Sequence, residues 1–298
     1  VRQSSCPRWS GMSAEVRLLA PVDAALGEGL CWDTDRGCLW MVDIVGRRLL
    51  RVSPEGGRFE VWDSPEEIGW VIPRDGDLLI GLASGVARAV LRGTALEPAW
   101  ITRLHVDRPE MRLNDAKSDS SGAIWAGSLN RRDESRPDGV LYRIARDGAT
   151  TVVDTGYAVA NGPAIRKDER LMLHTDSVRR TVYAFDLDVA AGRLSGKRVW
   201  RQFTQADGHP DGMCFDSEGC LWIAHWGAGM LCRYAPDGSV LRRVSIPATN
   251  VTNVCFFGPD LSRLAVTTAR NPPSSQACSG SLDGALLEVL EPGACGLR

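Results

Sequence analysis

GEGLCWDTDRGCLWMVD (residues 27–43), LNDAKSDSSGAIWAGSL (113–129) and PDGMCFDSEGCLWIAHW (210–226) are three copies of one pattern. Each holds a polar residue, an apolar strand, an Asp-rich turn and a second strand. A third strand and a second turn follow each copy, in RLLRVSPEGG, GVLYRIARDG and GMLCRYAPDG. IGWVIPRDGDLLIGL, NGPAIRKDERLMLHT and TNVCFFGPDLSRLAV are weaker copies. Set in register, the six place Glu28, Gly69, Asn114, Asn161, Asp211 and Asn253 at one position, with successive spacings of 41, 45, 47, 50 and 42 residues. That is the blade length of four-stranded propeller units. The expectation is an all-β chain folded as a six-bladed β-propeller, with residues 12–298 in one domain. The strand EVRLL (15–19) is expected to complete the last blade beside ALLEVL (285–290), closing the ring from the N-terminus.

The rest of the chain agrees with an all-β reading. Short apolar or alternating runs are broken every 8–12 residues by Gly, Pro, Asp and Asn, and long helical periodicity is absent. With 298 residues, 44% hydrophobic and 24% charged, the composition is that of an ordinary globular protein, neither disordered nor collagen-like. No apolar run approaches the roughly 18 residues of a membrane span. A formal net charge of −2 offers no general field for nucleic acid or anionic lipid. Lys117, Lys167 and Lys197 are the only lysines.

The nine cysteines are odd in number, form no CxxC, and sit mostly inside apolar runs such as GLCWD and NVCFFG. Scattered thiols fit a reducing compartment better than a disulfide scaffold or zinc site, so the cytoplasm is the expected location. Residues 1–11 (VRQSSCPRWSG) lack a signal-peptide core and read as an extension or tag remnant.

The register has a chemical consequence. The innermost strands of a propeller all start at one end of the central channel, so the six equivalent positions face one another. Five of them are Glu, Asn or Asp. Acidic and amide oxygens crowded in a channel mouth repel unless a cation sits among them. Glu28 and Asp211 supply two negative charges, the complement of one divalent ion, and all-oxygen ligation suits Ca²⁺, Mg²⁺ or Mn²⁺. Singly, an Asx residue before a strand is more often a turn former; the alignment of the whole ring is what points to a metal.

These residues resemble the senescence marker protein/gluconolactonase/regucalcin family of six-bladed propellers. The resemblance runs from about residue 15 to 290 and is carried by LGEGLCWD, RLNDAKSDSSGAIWAGS, NGPAI, HTDSVRRTVYAFDLD and PDGMCFDSEGCLWIA. It implies a single divalent ion, with Zn²⁺ and Fe²⁺ also open, held by Glu28, Asn161 and Asp211. It also implies substrate binding by Arg112 and Asn114, and Asp211 as the catalytic general base. A coordinated carboxylate is a poor base, so metal-bound hydroxide is an alternative. The implied reaction is hydrolysis of a sugar lactone to its aldonic acid, with no macromolecular partner and a monomer or weak homo-oligomer. Glu134, in a segment that aligns poorly, is a candidate substrate contact. Two other readings are a related propeller hydrolase acting on other lactones or phosphoesters, and a non-catalytic metal-binding propeller.

Among the histidines, His209 is a candidate for the channel entrance and His225 reads as packing, with a histidine base as the sharper alternative. Trp40, Trp125 and Trp222 occupy equivalent second-strand positions and read as core, while Trp70 follows Gly69 and could border the pocket. No GxSxG, P-loop or GxGxxG occurs.

Overall fold

A computed structural model describes residues 15–270 and 282–297. The proposed extension over residues 1–11 lies outside the described residues. The architecture is all-β, a β-propeller of 24 strands among the described residues with one short 3₁₀ turn, Gln205–Asp207. Four sheets contain four strands each. A fifth contains eight, because two four-stranded units spanning 27–63 and 68–103 are joined by a single parallel bridge, Asp63 to Ala95. In one four-stranded sheet the strand Val16–Ala20 pairs antiparallel with Leu286–Val289, which is followed by Arg263–Ala269 and Asn250–Phe257. No helix among the described residues is long and apolar enough to cross a membrane.

The repeat seen in the sequence is a repeated hydrogen bond. In three sheets the Asp of the first turn accepts from the indole of the second strand. Trp40 Nε1 donates to Asp33 Oδ2 at 3.1 Å, Trp125 Nε1 to Asp119 Oδ2 at 2.9 Å, and Trp222 Nε1 to Asp216 Oδ2 at 3.0 Å. The same aspartates hold their own turns through backbone N–H groups, as Asp216 does with Glu218 and Cys220 at 3.0 Å. A buried tryptophan thereby keeps its one polar atom satisfied while its ring fills the space between sheets. All three indoles are buried core, as their equivalent positions suggest.

The second recurring feature positions the site. Every inner strand shifts register against its neighbour near the channel: between Glu28 and Cys31, Ile68 and Trp70, Leu113 and Ala116, Asn161 and Ala164, Pro210 and Met213, and Val251 and Asn253. A β-bulge inserts a residue and re-aims side chains. Two consecutive residues can therefore both reach the channel, where a regular strand would send one away.

The sixth repeat corrects the sequence register by one. Val251 pairs with Thr268 just before its shift, as Pro210 pairs with His225, so Thr252 and not Asn253 is the equivalent of Asp211. The Thr252 hydroxyl is turned to Gly27 O at 2.5 Å. Asn253 sits one tier further in, alongside the positions of Gly29, Asp115, Gly162 and Gly212.

Two stability predictions follow from these contacts. Asp216→Ala unpairs the Trp222 indole and removes the Arg233 Nε contact at 2.8 Å, leaving Arg233 only Glu218, 2.6 Å from its Nη2. It is expected to cost about 3–5 kcal/mol by denaturant unfolding, more than Asp119→Ala, which removes the indole and turn hydrogen bonds but no ion pair. On the sheet containing Val16–Ala20, Glu288 accepts from Arg17 (Nη2, 2.7 Å) and Arg263 (Nε, 2.8 Å). Burial works against its ionisation, but the two guanidiniums outweigh burial and hold it below its ordinary value of 4.5. A carboxyl depressed in the folded state stabilises above its unfolded pKa and loses that contribution as pH falls. Glu288→Gln is therefore expected to lower the melting temperature at pH 7 by an amount that shrinks as pH drops below about 4.5.

Candidate metal and substrate site

Glu28, Arg112, Asn114, Asn161 and Asp211, the five residues expected to form the site, line one cavity of about 220 Å³ at one mouth of the channel. They come from four different inner strands, Gly27–Asp33, Met111–Ser118, Ala160–Ile165 and His209–Phe215. All five are at most 6% exposed. Glu134 and His209, weighed from sequence, line the same cavity, with Ser177, Val178, Trp226, Leu26, Leu129 and Val159.

The side chains are fixed by a continuous network. Arg112 Nη1 donates to Asn114 Oδ1 at 2.6 Å, and Asn114 Nδ2 donates to Ala160 O at 2.8 Å, so the amide has one orientation. Asn161 Nδ2 donates to Asp211 Oδ1 and to Ser177 Oγ, whose hydroxyl in turn donates to Pro210 O at 2.7 Å. Glu28 Oε2 accepts from Gly29 N at 3.0 Å and from Asn253 Nδ2 at 2.8 Å.

The electrostatics of the site are those of a cavity built for positive charge. Burial, and then the nearby Asp115, push Glu28 up to about 8. Burial and then Glu28 push Asp211 well above the carboxylate range. Burial likewise lowers Arg112 from its ordinary value, opposed by Glu67, Glu134 and Glu28.

The donor set fits a hard divalent cation on one further observation: Asn161 Oδ1 is buried with no hydrogen-bond partner. An amide carbonyl left bare beside two carboxylates is a strong oxygen donor for a cation and a costly vacancy otherwise. No group of three or more His, Cys, Asp or Glu among the described residues forms a metal cage; the set here is two carboxylates and one amide.

The two histidines weighed from sequence are accounted for. His209 donates from Nδ1 to Ser177 O at 2.8 Å and accepts at Nε2 from Arg180 at 3.3 Å, so both nitrogens are engaged at the cavity wall. His225 is fully buried between Asp207 O and the Tyr234 hydroxyl, both at 2.8 Å, and burial pulls it down to about 4. His225 is a packing residue. Trp70 borders a different, inner cavity. Ser177 and Trp226 were not legible as site residues, since neither stands at a repeat-equivalent inner position; both lie where a second strand ends.

An all-β propeller whose channel mouth joins two buried carboxylates, a bare amide oxygen and a guanidinium defines a class of small-molecule propeller proteins. The sequence pattern of the SMP-30/gluconolactonase/LRE-like region matches residues 26–270. The chain is 36% identical over 259 residues to pentonolactonase XacC of Haloferax volcanii, covering 86% of this chain and 85% of that one. It is 33% identical over 264 residues to L-arabinolactonase of Azospirillum brasilense, covering 87% and 85%. The solved structure of a calcium-binding protein, regucalcin, from Agrobacterium tumefaciens superposes with a TM-score of 0.88 at 28% identity, covering 95% of this chain and 96% of that one. The chain belongs to the SMP-30/gluconolactonase/LRE-like family.

Ser177 touches no expected ligand oxygen but holds the Asn161 amide. Ser177→Ala is expected to weaken divalent-cation binding about 10-fold in calorimetric titration while leaving the far-UV circular dichroism unchanged.

Proposed function

We propose that this protein opens a sugar (aldono-) lactone to the corresponding aldonic acid, with one divalent cation held by Glu28, Asn161 and Asp211. Its class is that of enzymes hydrolysing carboxylic ester bonds, in line with the lactonases to which it is related. The scaffold is a six-bladed propeller of residues 12–298, with each half of the eight-stranded sheet counting as a blade and the strand Val16–Ala20 serving as the closing strand.

The observation that carries the reading is the convergence, in one buried cavity, of the unpartnered Asn161 Oδ1 and two carboxylates beside the Arg112–Asn114 pair. When bound, the ion supplies Lewis-acid polarisation of the lactone carbonyl and acidifies a water. The chain does the rest. Arg112 spends one nitrogen on Asn114 Oδ1 and Leu113 O, which leaves the remainder of its fork for ring hydroxyls. Asn114, locked at both ends, keeps that guanidinium in place. Asp211 is the group positioned to hold the proton taken from the attacking water. Glu134 and His209 offer polar edges, and Leu26, Leu129, Val159, Val178 and Trp226 offer an apolar wall for the faces of a sugar ring. At about 220 Å³ the cavity is below the roughly 300–1,000 Å³ of drug-sized sites, in keeping with a single-ring substrate.

The test is a pH-indicator assay of lactone opening on glucono-, xylono-, arabinono- and galactonolactones, using EDTA-stripped protein with single metals returned. Acid release restored by one metal is expected, as is a loss of at least ~100-fold in kcat for Asp211→Asn with the fold retained. Rates no faster than spontaneous opening, on every lactone with every metal, would sink the sugar-lactonase reading and bring phosphoesters forward as substrates.

A further inference from the structure

A second tier of charge lies directly inside the first. Asp115 and Asn253, 1% and 0% exposed, are brought into the channel by the bulges in their strands. The Asn253 amide is fully committed: Nδ2 donates to Glu28 Oε2 at 2.8 Å and reaches Asp115 Oδ2 at 3.4 Å, and Oδ1 accepts from Val254 N at 2.8 Å. Two residues beyond Asp115 on the same strand, Lys117 shares with it an inner cavity of about 150 Å³. Lys117 also lines the cavity of about 440 Å³ at the opposite end of the channel, with Cys31, Cys214 and Cys255.

The charges of this tier can be counted. Glu28, Asp115 and Asp211 are three buried carboxylates: Asp115 raises Glu28, and Glu28 and Asp115 raise Asp211. Arg112 is engaged first by Glu67 and Glu134 and only then by Glu28, and Lys197 pairs with Asp154 at 2.5 Å, outside the channel. Burial pushes the thiols of Cys31, Cys214 and Cys255 up, so they stay protonated and contribute no anion. Three carboxylates against one ammonium leave two negative charges, the complement of a single divalent ion. Lys117 and Asp115 make no contact ion pair; the attraction acts across the channel interior, where low dielectric lets it reach. Consistent with this, burial alone would pull Lys117 down, yet Asp115 reverses it and the net shift is upward. Burial raises Asp115 to about 6, and Lys117 leads the groups that oppose the rise.

We propose that Lys117 is the resident counter-ion of the channel, neutralising Asp115 and so limiting the protein to one divalent cation, at the Glu28, Asn161 and Asp211 tier. The limit on metal number rests on the metal-binding reading above; the pairing of Lys117 with Asp115 does not. Melting of EDTA-stripped wild type, Lys117→Met and the double variant Asp115→Asn with Lys117→Met tests the pairing. Lys117→Met is expected to melt about 5 °C lower, and the double variant to regain at least half of that loss; additive losses overturn the pairing. If Lys117→Met does not fold, a folded double variant supports the pairing and an unfolded one overturns it. Calcium titration by calorimetry then reads the limit. One ion per chain is expected in wild type and in the double variant, and two in Lys117→Met. One ion per chain in all three proteins overturns the limit, whereas none in wild type defeats the metal reading and leaves the melting result standing.

Discussion

Like charge crowded out of water is the constraint around which this channel is arranged. Glu28 and Asp211 lie far apart in the chain yet act on each other inside the protein, each buried to within a few per cent. Ionised carboxylates in such a place carry several kcal/mol of desolvation each, which the local hydrogen bonds offset only in part. Every polar neighbour is placed accordingly: Gly29 N and Asn253 donate to Glu28, Asn161 donates to Asp211, and Arg112 stands above. The network lessens the repulsion but leaves Asn161 Oδ1 bare, and the proposed cation site rests on these two features.

The rest of the fold keeps those groups where they are. A propeller brings together inner strands that are remote in sequence, but only rigid sheets hold their ends in a fixed ring. Rigidity at the far turns comes from the indole-to-aspartate hydrogen bonds of Trp40, Trp125 and Trp222, and at the channel from the bulges. Gly29, at φ 57°, shows how tight the bulge is: a Cβ there would stand 2.8 Å from the Trp70 Cα. Gly212 marks the same closeness on the other side, where a Cβ would lie 2.5 Å from Asn253 Cγ. Small residues at these points let neighbouring strands approach until side-chain oxygens from different sheets meet.

Much of this was legible in the sequence because the repeat is itself a physical device. The Asp of the turn and the Trp of the second strand recur together, so aligning them locates the inner-strand residues without a structure, and five of the expected site residues converge on one cavity. The alignment slips in the sixth repeat for the same reason. FGPDLSRLAV has neither the turn Asp in place nor the Trp, and its longer turn moves the register by one. The inner tier was hidden by a different rule. Alternation along a strand sends Asp115 away from the side that Asn114 faces, and only the bulge between Leu113 and Ala116 turns both inward.

That separation of tiers also sets the charged groups apart from the rest of the cavity. The charged groups sit on inner strands whose bulges and neighbours leave little room for change. The cavity wall above them is made elsewhere: Glu134 lies between the strands Ile124–Asn130 and Gly139–Ile144, Ser177 and Val178 between Leu171–Asp176 and Thr181–Asp188, and Trp226 at the end of Leu221–Trp226. These are connections between second and third strands, apart from the inner strands that carry Glu28, Asn114, Asn161 and Asp211. A change of length or residue there reshapes the cavity wall; of these residues, Glu134 and Ser177 also act on the charged groups, through Arg112 and Asn161. The relatives are named for different lactones, and a shared fold does not by itself fix the substrate.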